Sequence, residues 1–517
     1  MTIATTPMSG AAGANRTMVT VCAMAATLMQ ALDSTIANVA LPYMQGSLST
    51  TADQITWVLT SYVVAAAIFT APVGWLSTNF GRKRLFIVCV VGFTLASALC
   101  GGAQSLTQMV VFRLIQGMFG AALVPLSQAT MLDLYPPAQR GSAMAIWGMG
   151  VMLGPILGPT LGGYLTDVYD WRWVFLINVP FGVLATAGLI VFMGETRISE
   201  GNRFDWIGFG VLSLGLAALQ LMLDRGEQQD WFHSTEIIAE LVLACLGIYL
   251  FMVHIFTSDN CFIPPRLFKD LNFSVGFLIM FAIGMILLAS MALLPPYLQN
   301  LGGYSITTTG ILMAPRGVGT MLAMMVAGRL TTRTDPRLLM LAGILMVSAS
   351  MWSMTDWTPD IDAWSMAMTT LLQGFGLGFV FIPLQVVAYA TLAPDLRGDA
   401  TALFSLVRNV GSAVGISIAT FLLSQSTQTM HARIAEGVTP FNYNLQTGGA
   451  YLIWNTATAP GRMALNAEVT RQASIIAYGN DFKFMLVITL ATAFLLLLLR
   501  RPKTAAQAPS AEHAVMD

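Results

Sequence analysis

The chain has 517 residues and a net charge of −1; 56% of it is hydrophobic and only 10% is Asp, Glu, Lys or Arg, against roughly a quarter charged in a soluble domain. So few charges cannot cover the surface of the two or three soluble domains that such a length would form, which excludes a soluble enzyme with an appended anchor. The near-zero net charge leaves no basic field for nucleic acid, and five scattered cysteines without a C-x-x-C pair argue against disulfides, structural zinc or redox work.

In chain order, apolar stretches lie near 17–40, 54–77, 83–101, 107–131, 140–165, 172–193, 205–222, 236–256, 273–294, 305–328, 337–354, 364–391, 399–424 and 480–499. Each is close to the roughly 20 residues a bilayer span needs, so the expected fold is all-α, integral to the membrane, with fourteen transmembrane helices. The run after Arg16 is too long for a signal peptide and lacks a convincing cleavage site, so it reads as a retained first span. With the tails 1–16 and 500–517 inside, inner segments hold 16 Lys or Arg and outer segments five: Arg172, Arg225, Arg433, Arg462 and Arg471. This asymmetry follows the positive-inside rule and predicts that both termini are cytoplasmic. One outer connection is long. Residues 425–479 are polar and rich in Gln, Thr, Asn and Ala, and read either as a mobile surface loop or as a docking surface for an external partner.

The first span contains Leu32-Asp33-Ser34-Thr35-Ile36-Ala37-Asn38, with Gln30 one turn before Asp33. An ionisable residue inside a span is costly and marks a functional candidate. A carboxyl there could load and release a proton, the structural alternative being a permanent ion pair. Between the second and third spans, Gly74-Trp-Leu-Ser-Thr78-Asn-Phe-Gly81-Arg82-Lys83-Arg84 combines turn glycines with a basic cluster suited to headgroups or helix C-termini; a simple topology anchor would look the same. The fourth span supplies a cation, Arg113, with Gln116, Gly117 and Gly120 on the same face. In the fifth, Gly154-Pro155, Gly158-Pro159 and Gly162-Gly163 form a small-residue stripe that permits close helix approach, and prolines that permit bending. It fits both tight packing and a flexible seam. Arg316 and Arg408 are further intramembrane arginines, and with Gln30, Asn38, Gln116 and Gln373 they are candidates for lining a substrate cavity.

An internal repeat organises these motifs. Gln116-Gly117 recurs as Gln373-Gly374, Arg140-Gly141 as Arg397-Gly398, and Gly154 and Gly158 as Gly411 and Gly415, all at an offset of 257, while Gly74 has a weaker echo in Gly328 at 254. Two six-helix halves, 17–193 and 273–499, are therefore expected to flank a linker pair within 194–272, an arrangement of carriers with the site between the halves. At these offsets Arg113 corresponds to Thr370. The pairs Leu41-Pro42 and Leu294-Pro295 set Asp33 against Ile286. Proton chemistry is thus expected in the first half, with the second supplying an apolar wall.

These motifs resemble the fourteen-helix drug:proton antiporter branch of the major facilitator superfamily. The string Leu32–Pro42 resembles the branch's first-helix signature, Gly74–Arg84 its loop motif, Arg113-x-x-Gln116-Gly117 its fourth-helix motif and Gly154–Gly163 its antiporter motif. Trp171–Pro180, Leu219–Gly226 and the long segment 425–479 are similar to multidrug exporters of that branch. The resemblance implies the major facilitator fold, a bacterial inner-membrane location, export driven by the proton gradient without a cofactor, and Asp33 and Arg113 as coupling residues. It also implies a periplasmic membrane-fusion adaptor and an outer-membrane channel as partners, with 425–479 as the contact. Thr78 stands where the loop motif usually has Asp, so no carboxylate latch is expected from that position, and Arg82 and Lys83 need another partner. Thirty-two Met suit an adaptable cavity for lipophilic drugs, and the arginines favour neutral or weakly acidic ones. A metabolite, siderophore or lipid exporter, or an importer of the same fold, is the alternative within transport. Four scattered His (233, 254, 431, 513) and no G-x-x-x-x-G-K-[ST] give no constellation for a membrane enzyme or an ATP-driven pump.

Overall fold

The computed structural model describes residues 12–136, 139–195, 203–258, 261–331, 333–393, 396–439, 442 and 453–500. Most of both tails, Arg197, Arg501 and Lys503, and residues 440, 441 and 443–452 of the long outer segment lie outside these.

Fourteen helical spans follow one another. They are α1 (Ala12–Ser47), α2 (Trp57–Thr70 continuing as Val73–Phe80), α3 (Arg82–Gly101), α4 (Leu106–Leu134), α5 (Arg140–Val168), α6 (Trp173–Phe192), α7 (Trp206–Arg225), α8 (Thr235–Thr257), α9 (Leu271–Pro296), α10 (Ile306–Leu330), α11 (Pro336–Met354), α12 (Ala363–Ala390), α13 (Arg397–Glu436) and α14 (Ala459–Leu495). Thirteen of these spans are long and apolar enough to cross a bilayer; α2 is bent by 56° at its break, where Pro72 cannot donate a backbone hydrogen bond. Several helices start where a short polar side chain caps the first turn: Ser105 accepts from Gln108 N, Asp270 from Phe273 N and Asp362 from Ser365 N, satisfying donors that lipid could not.

The first six helices and the last six form two bundles, with α7 and α8 between them, paired to each other and resting on α2 and α13. The bundles meet where α5 packs on α10 and where α13 packs on α2 and α4. The glycine stripe of α5 faces α1. A Cβ at Gly154 would lie 2.5 Å from Ala31 Cβ, and one at Gly162 would lie 2.9 Å from Ile36. It therefore joins α5 to the helix bearing Asp33, inside the first bundle. The seam between bundles uses other glycines: Gly148 against Met324 and Gly141 against the Gly328 backbone. Gly163 has no atom within 4 Å of a built Cβ, and α5 runs as continuous helix through Pro155 and Pro159.

The long segment 425–479 differs from a loop. α13 continues to Glu436 and α14 begins at Ala459, and His431 Nε2 bonds Asn466 Oδ1 at 3.1 Å between the two extensions. Both helices run on past the apolar stretch. Their polar composition hid this, because helices outside lipid need no apolar run to continue.

Gly154→Ala should lower stability by about 1–3 kcal/mol, the cost of overpacking, because Ala31 backbone cannot yield. Gly163→Ala should not. Thermal unfolding of the two variants in detergent checks this.

Candidate functional site

Asp33, near the middle of α1, and Arg113, in the second turn of α4 after its Ser105 cap, are 0% and 1% exposed. Arg113 Nη1 donates to Asp33 Oδ2 at 2.7 Å, and Gln116 Nε2 donates to Asp33 Oδ1 at 2.8 Å. Asn178 of α6 adds a third donor at 3.1 Å and also donates to Ser97 Oγ of α3. Arg113 is held in turn by Val58 O at 3.1 Å, by Gln116 Oε1 at 2.8 Å and by the Tyr62 ring, whose centroid is 4.2 Å from its guanidinium carbon. Five helices of the first bundle thus converge on one carboxylate. A buried ion costs several kcal/mol to desolvate, and these donors are what makes the pair tolerable here.

The residues expected to line a substrate cavity fall in separate places. Gln116 belongs to the ion-pair network. Gln30 borders it, donating to Tyr62 Oη at 3.4 Å. Asn38 is exposed. Gln373 is fully buried in the second bundle, its Nε2 3.9 Å from Met351 Sδ. Arg316 is buried on α10, donating to Leu287 O and Ser290 Oγ at 3.0 and 2.9 Å. Arg408 lies between the bundles.

That junction was missed in the sequence, although the repeat pointed to it. Gln128 Nε2 of α4 donates to Gln385 Oε1 of α12 at 2.9 Å. The two residues are 257 apart, the repeat offset itself, so each half offers the same glutamine to the other. Beside them Trp147 of α5 stacks on Phe381 of α12, centroids 6.2 Å apart and planes 5° apart. Val124, Met280, Phe404, Ser405 and Arg408 complete the wall of a cavity of about 10 Å³, room for one water at most and far below the 300 Å³ or more of a drug-sized site. Arg408 has neither hydrogen bond nor ion pair among the described residues. A larger hollow, about 260 Å³, lies between α2 and α7, lined by Trp57, Thr60, Arg225 and Gln228 among others.

Where Arg82, Arg140 and Arg397 cluster, the bundles are clamped by charge. Asp133, at the end of α4, pairs with Arg82 of the loop motif and, at 2.9 Å, with Arg397 at the start of α13. A carboxylate latch is therefore present despite Thr78, which bonds back to Gly74 O of its own helix. The carboxylate has come from α4, a position that the loop motif could not reveal. Gly74 lets α13 approach, since a Cβ there would be 2.6 Å from Asp399 Cα, and Gly81, at φ +82°, makes the turn into α3. Lys83 is half-buried.

Contacts also correct the repeat register. Gly154 meets Ala31 where Gly411 meets Phe281, and Gly158 meets Thr35 where Gly415 meets Met285. The first helices of the halves thus align at an offset of 250, setting Asp33 against Ile283 rather than Ile286. Thr370 replaces Arg113 as expected, and bonds Leu312 O as Arg113 bonds Val58 O. The second half is not purely an apolar wall. It buries Arg316, and on α14 it buries Asp481, 1% exposed.

The Major Facilitator Superfamily profile matches residues 23–416 and 273–515. The multidrug export protein EmrB of Escherichia coli K12 is 37% identical over 475 residues, 91% of this chain and 92% of EmrB. This chain belongs to the Major Facilitator Superfamily. It is an EmrB-like member and a transporter rather than an enzyme. The fatty acid resistance protein FarB of Neisseria gonorrhoeae is 33% identical, with 92% of this chain and 94% of FarB covered. Among solved structures, the human organic anion transporter MFSD10 superposes with a TM-score of 0.61 at 16% identity, covering 93% of this chain and 99% of its own. A bacterial homologue of the lysosomal transporter Spinster, inward-facing and unoccupied, gives 0.54 at 18% identity, covering 94% of this chain and 98% of its own. These two share the fold.

Removing one partner of the buried pair should destabilise the protein by about 3–5 kcal/mol, and Asp33→Leu with Arg113→Leu by less than the sum of the single changes; a double-mutant cycle of thermal unfolding checks this. Asp133→Asn should weaken the clamp by about 1 kcal/mol, about fivefold in population. The measurement is a faster thiol labelling of Ser405→Cys in the Asp133→Asn background.

Proposed function

We propose that this protein is a proton-driven antiporter exporting lipophilic compounds through the bacterial inner membrane, both termini cytoplasmic. The observation that supports this best is the Asp33 carboxylate, sealed in the membrane with Arg113, Gln116 and Asn178 as its donors. Protonation would turn an ion pair into a neutral acid beside a cation and loosen α1 from α4. Because α1 is fitted to α5 by the glycine stripe, and α5 forms the seam with α10, a change at Asp33 has a path to the interface between bundles. If the termini are cytoplasmic, the closed Asp133 clamp lies on the cytoplasmic side of the shut central cavity. A drug would enter after Arg82, Asp133 and Arg397 separate.

Arg408 offers a cation without a partner beside apolar and aromatic walls. That suits a lipophile that is neutral or bears one negative charge, in keeping with the names multidrug export protein and fatty acid resistance protein of the two relatives. The paired extensions of α13 and α14, within 425–479, are the surface we assign to a periplasmic adaptor leading to an outer-membrane channel.

Asp33→Asn should abolish drug accumulation in vesicles with an imposed proton gradient while leaving expression intact; full activity would refute proton coupling through this residue. Arg408→Gln should weaken binding of a lipophilic acid by about tenfold and of a neutral drug little, as read from competition assays.

A further inference from the structure

A second carboxyl lies buried in the other half. Asp481 of α14 is 1% exposed, and neither of its oxygens has a hydrogen-bond partner. Its neighbours along the helix, Tyr478, Phe482 and Met485, belong to an apolar cluster with Tyr297, Trp357 and Met351. The cluster is built of rings: Tyr297 lies 5.2 Å from Tyr478 and 5.9 Å from Trp357, and Trp357 6.3 Å from Phe482. Two residues earlier, α14 passes the end of α11 so closely that a Cβ at Gly479 would be 3.0 Å from Thr355 O.

Among the described residues no cation pairs with the carboxyl. On its own helix Tyr478 is the ionisable neighbour and Lys483 is exposed; in the turn after α9, Tyr297 packs on Tyr478. α9 has no ionisable side chain, α11 has only Arg337 at its far end, and α13 has none between Arg408 and His431. Asp356 and Asp360 of the turn before α12 are exposed. Asp33 has three donors, one of them a guanidinium; Asp481 has none among the described residues. An ionised carboxylate so enclosed bears an uncompensated desolvation penalty, and intramembrane carboxyls of this kind mark proton pathways.

We propose that Asp481 is a second proton-binding site of the carrier, occupied in the form described here. This rests on the proton-driven reading and extends it to the second half. The step is a proton transfer: water on the outer side gives a proton to one carboxylate oxygen, and the neutral acid becomes buried. In the alternate form the proton returns to water as the cluster opens. The Tyr297 hydroxyl and the Trp357 indole N–H of the adjoining cluster are likewise buried without partners.

The test uses the full-length protein in lipid. Infrared spectroscopy at neutral pH should show the carbonyl stretch of a protonated carboxyl that persists in Asp33→Asn, disappears in Asp481→Asn and shifts in Asp481→Glu. A spectrum with no component dependent on Asp481 overturns the proposal. In proteoliposomes with the membrane voltage clamped and chloramphenicol as a neutral probe, the logarithm of accumulation should rise less steeply with the pH gradient in Asp481→Asn, by one proton per molecule. Asp481→Glu should keep the wild-type slope, and an unchanged slope in active Asp481→Asn also overturns the proposal. If the wild type shows no gradient dependence, the proton-driven reading fails instead, and the infrared result still decides whether Asp481 holds a proton. If Asp481→Asn does not insert, the shift in Asp481→Glu decides.

Discussion

A carboxylate and a guanidinium remain inside an apolar bundle only when each satisfies the other. In this protein Asp33 and Arg113 do so at 2.7 Å, and much of the first half is arranged around that requirement. α4 sets Gln116 one turn from Arg113 so that a single amide can bond both charges. α6 brings Asn178 to the remaining lone pairs, and α2 gives a carbonyl and an aromatic face to the guanidinium. Five helices are therefore tied to the charge state of one carboxyl. In a medium of low dielectric constant such a network tolerates few intermediate arrangements.

The second half keeps the scaffold and alters the chemistry. Its glycines repeat the close approaches of the first: Gly374 against Arg316 and Gly411 against Phe281. Where Arg113 stood there is Thr370, and where Asp33 stood there is isoleucine. Its ionisable groups lie elsewhere, Arg316 buried on α10, Asp481 buried on α14 and Arg408 half-buried on α13, and among the described residues neither arginine pairs with the carboxyl. The halves thus share a shape and differ in polarity. This allows one to hold an ion pair while the other encloses a lone carboxyl.

Most of the architecture was legible because lipid imposes simple rules. Apolar length gave the spans, the lysines and arginines between them gave an expected direction, and the shared offset of 257 gave two halves. Asp33, Arg113 and Gln116 were singled out because a charge in a span is conspicuous. What escaped had other causes. The extensions of α13 and α14 are polar helices in an aqueous setting, where hydropathy is silent. Asp133 lies at a helix end, where a carboxylate looks like ordinary surface, and its clamp spans 264 residues of chain between Asp133 and Arg397. Asp481 begins an apolar run and reads as its polar border until neighbouring helices are seen to cover it. Gln128 and Gln385 could have been found, since the offset was known, but uncharged glutamines in a span draw no notice.

That glutamine pair has a consequence for how two similar halves can touch. A contact on a two-fold axis brings a residue against its own counterpart, so the side chain must complement itself. Two carboxylates or two guanidiniums would repel there, and two leucines would fix no orientation. A primary amide is both donor and acceptor, and it is neutral. The Gln128–Gln385 bond is therefore the kind of self-matching contact found at the axis of a symmetric homodimer, here made within one chain. It gives the halves a common pivot that is itself uncharged, and the wall beside it is where they differ: Arg408 stands where the first half has Val151.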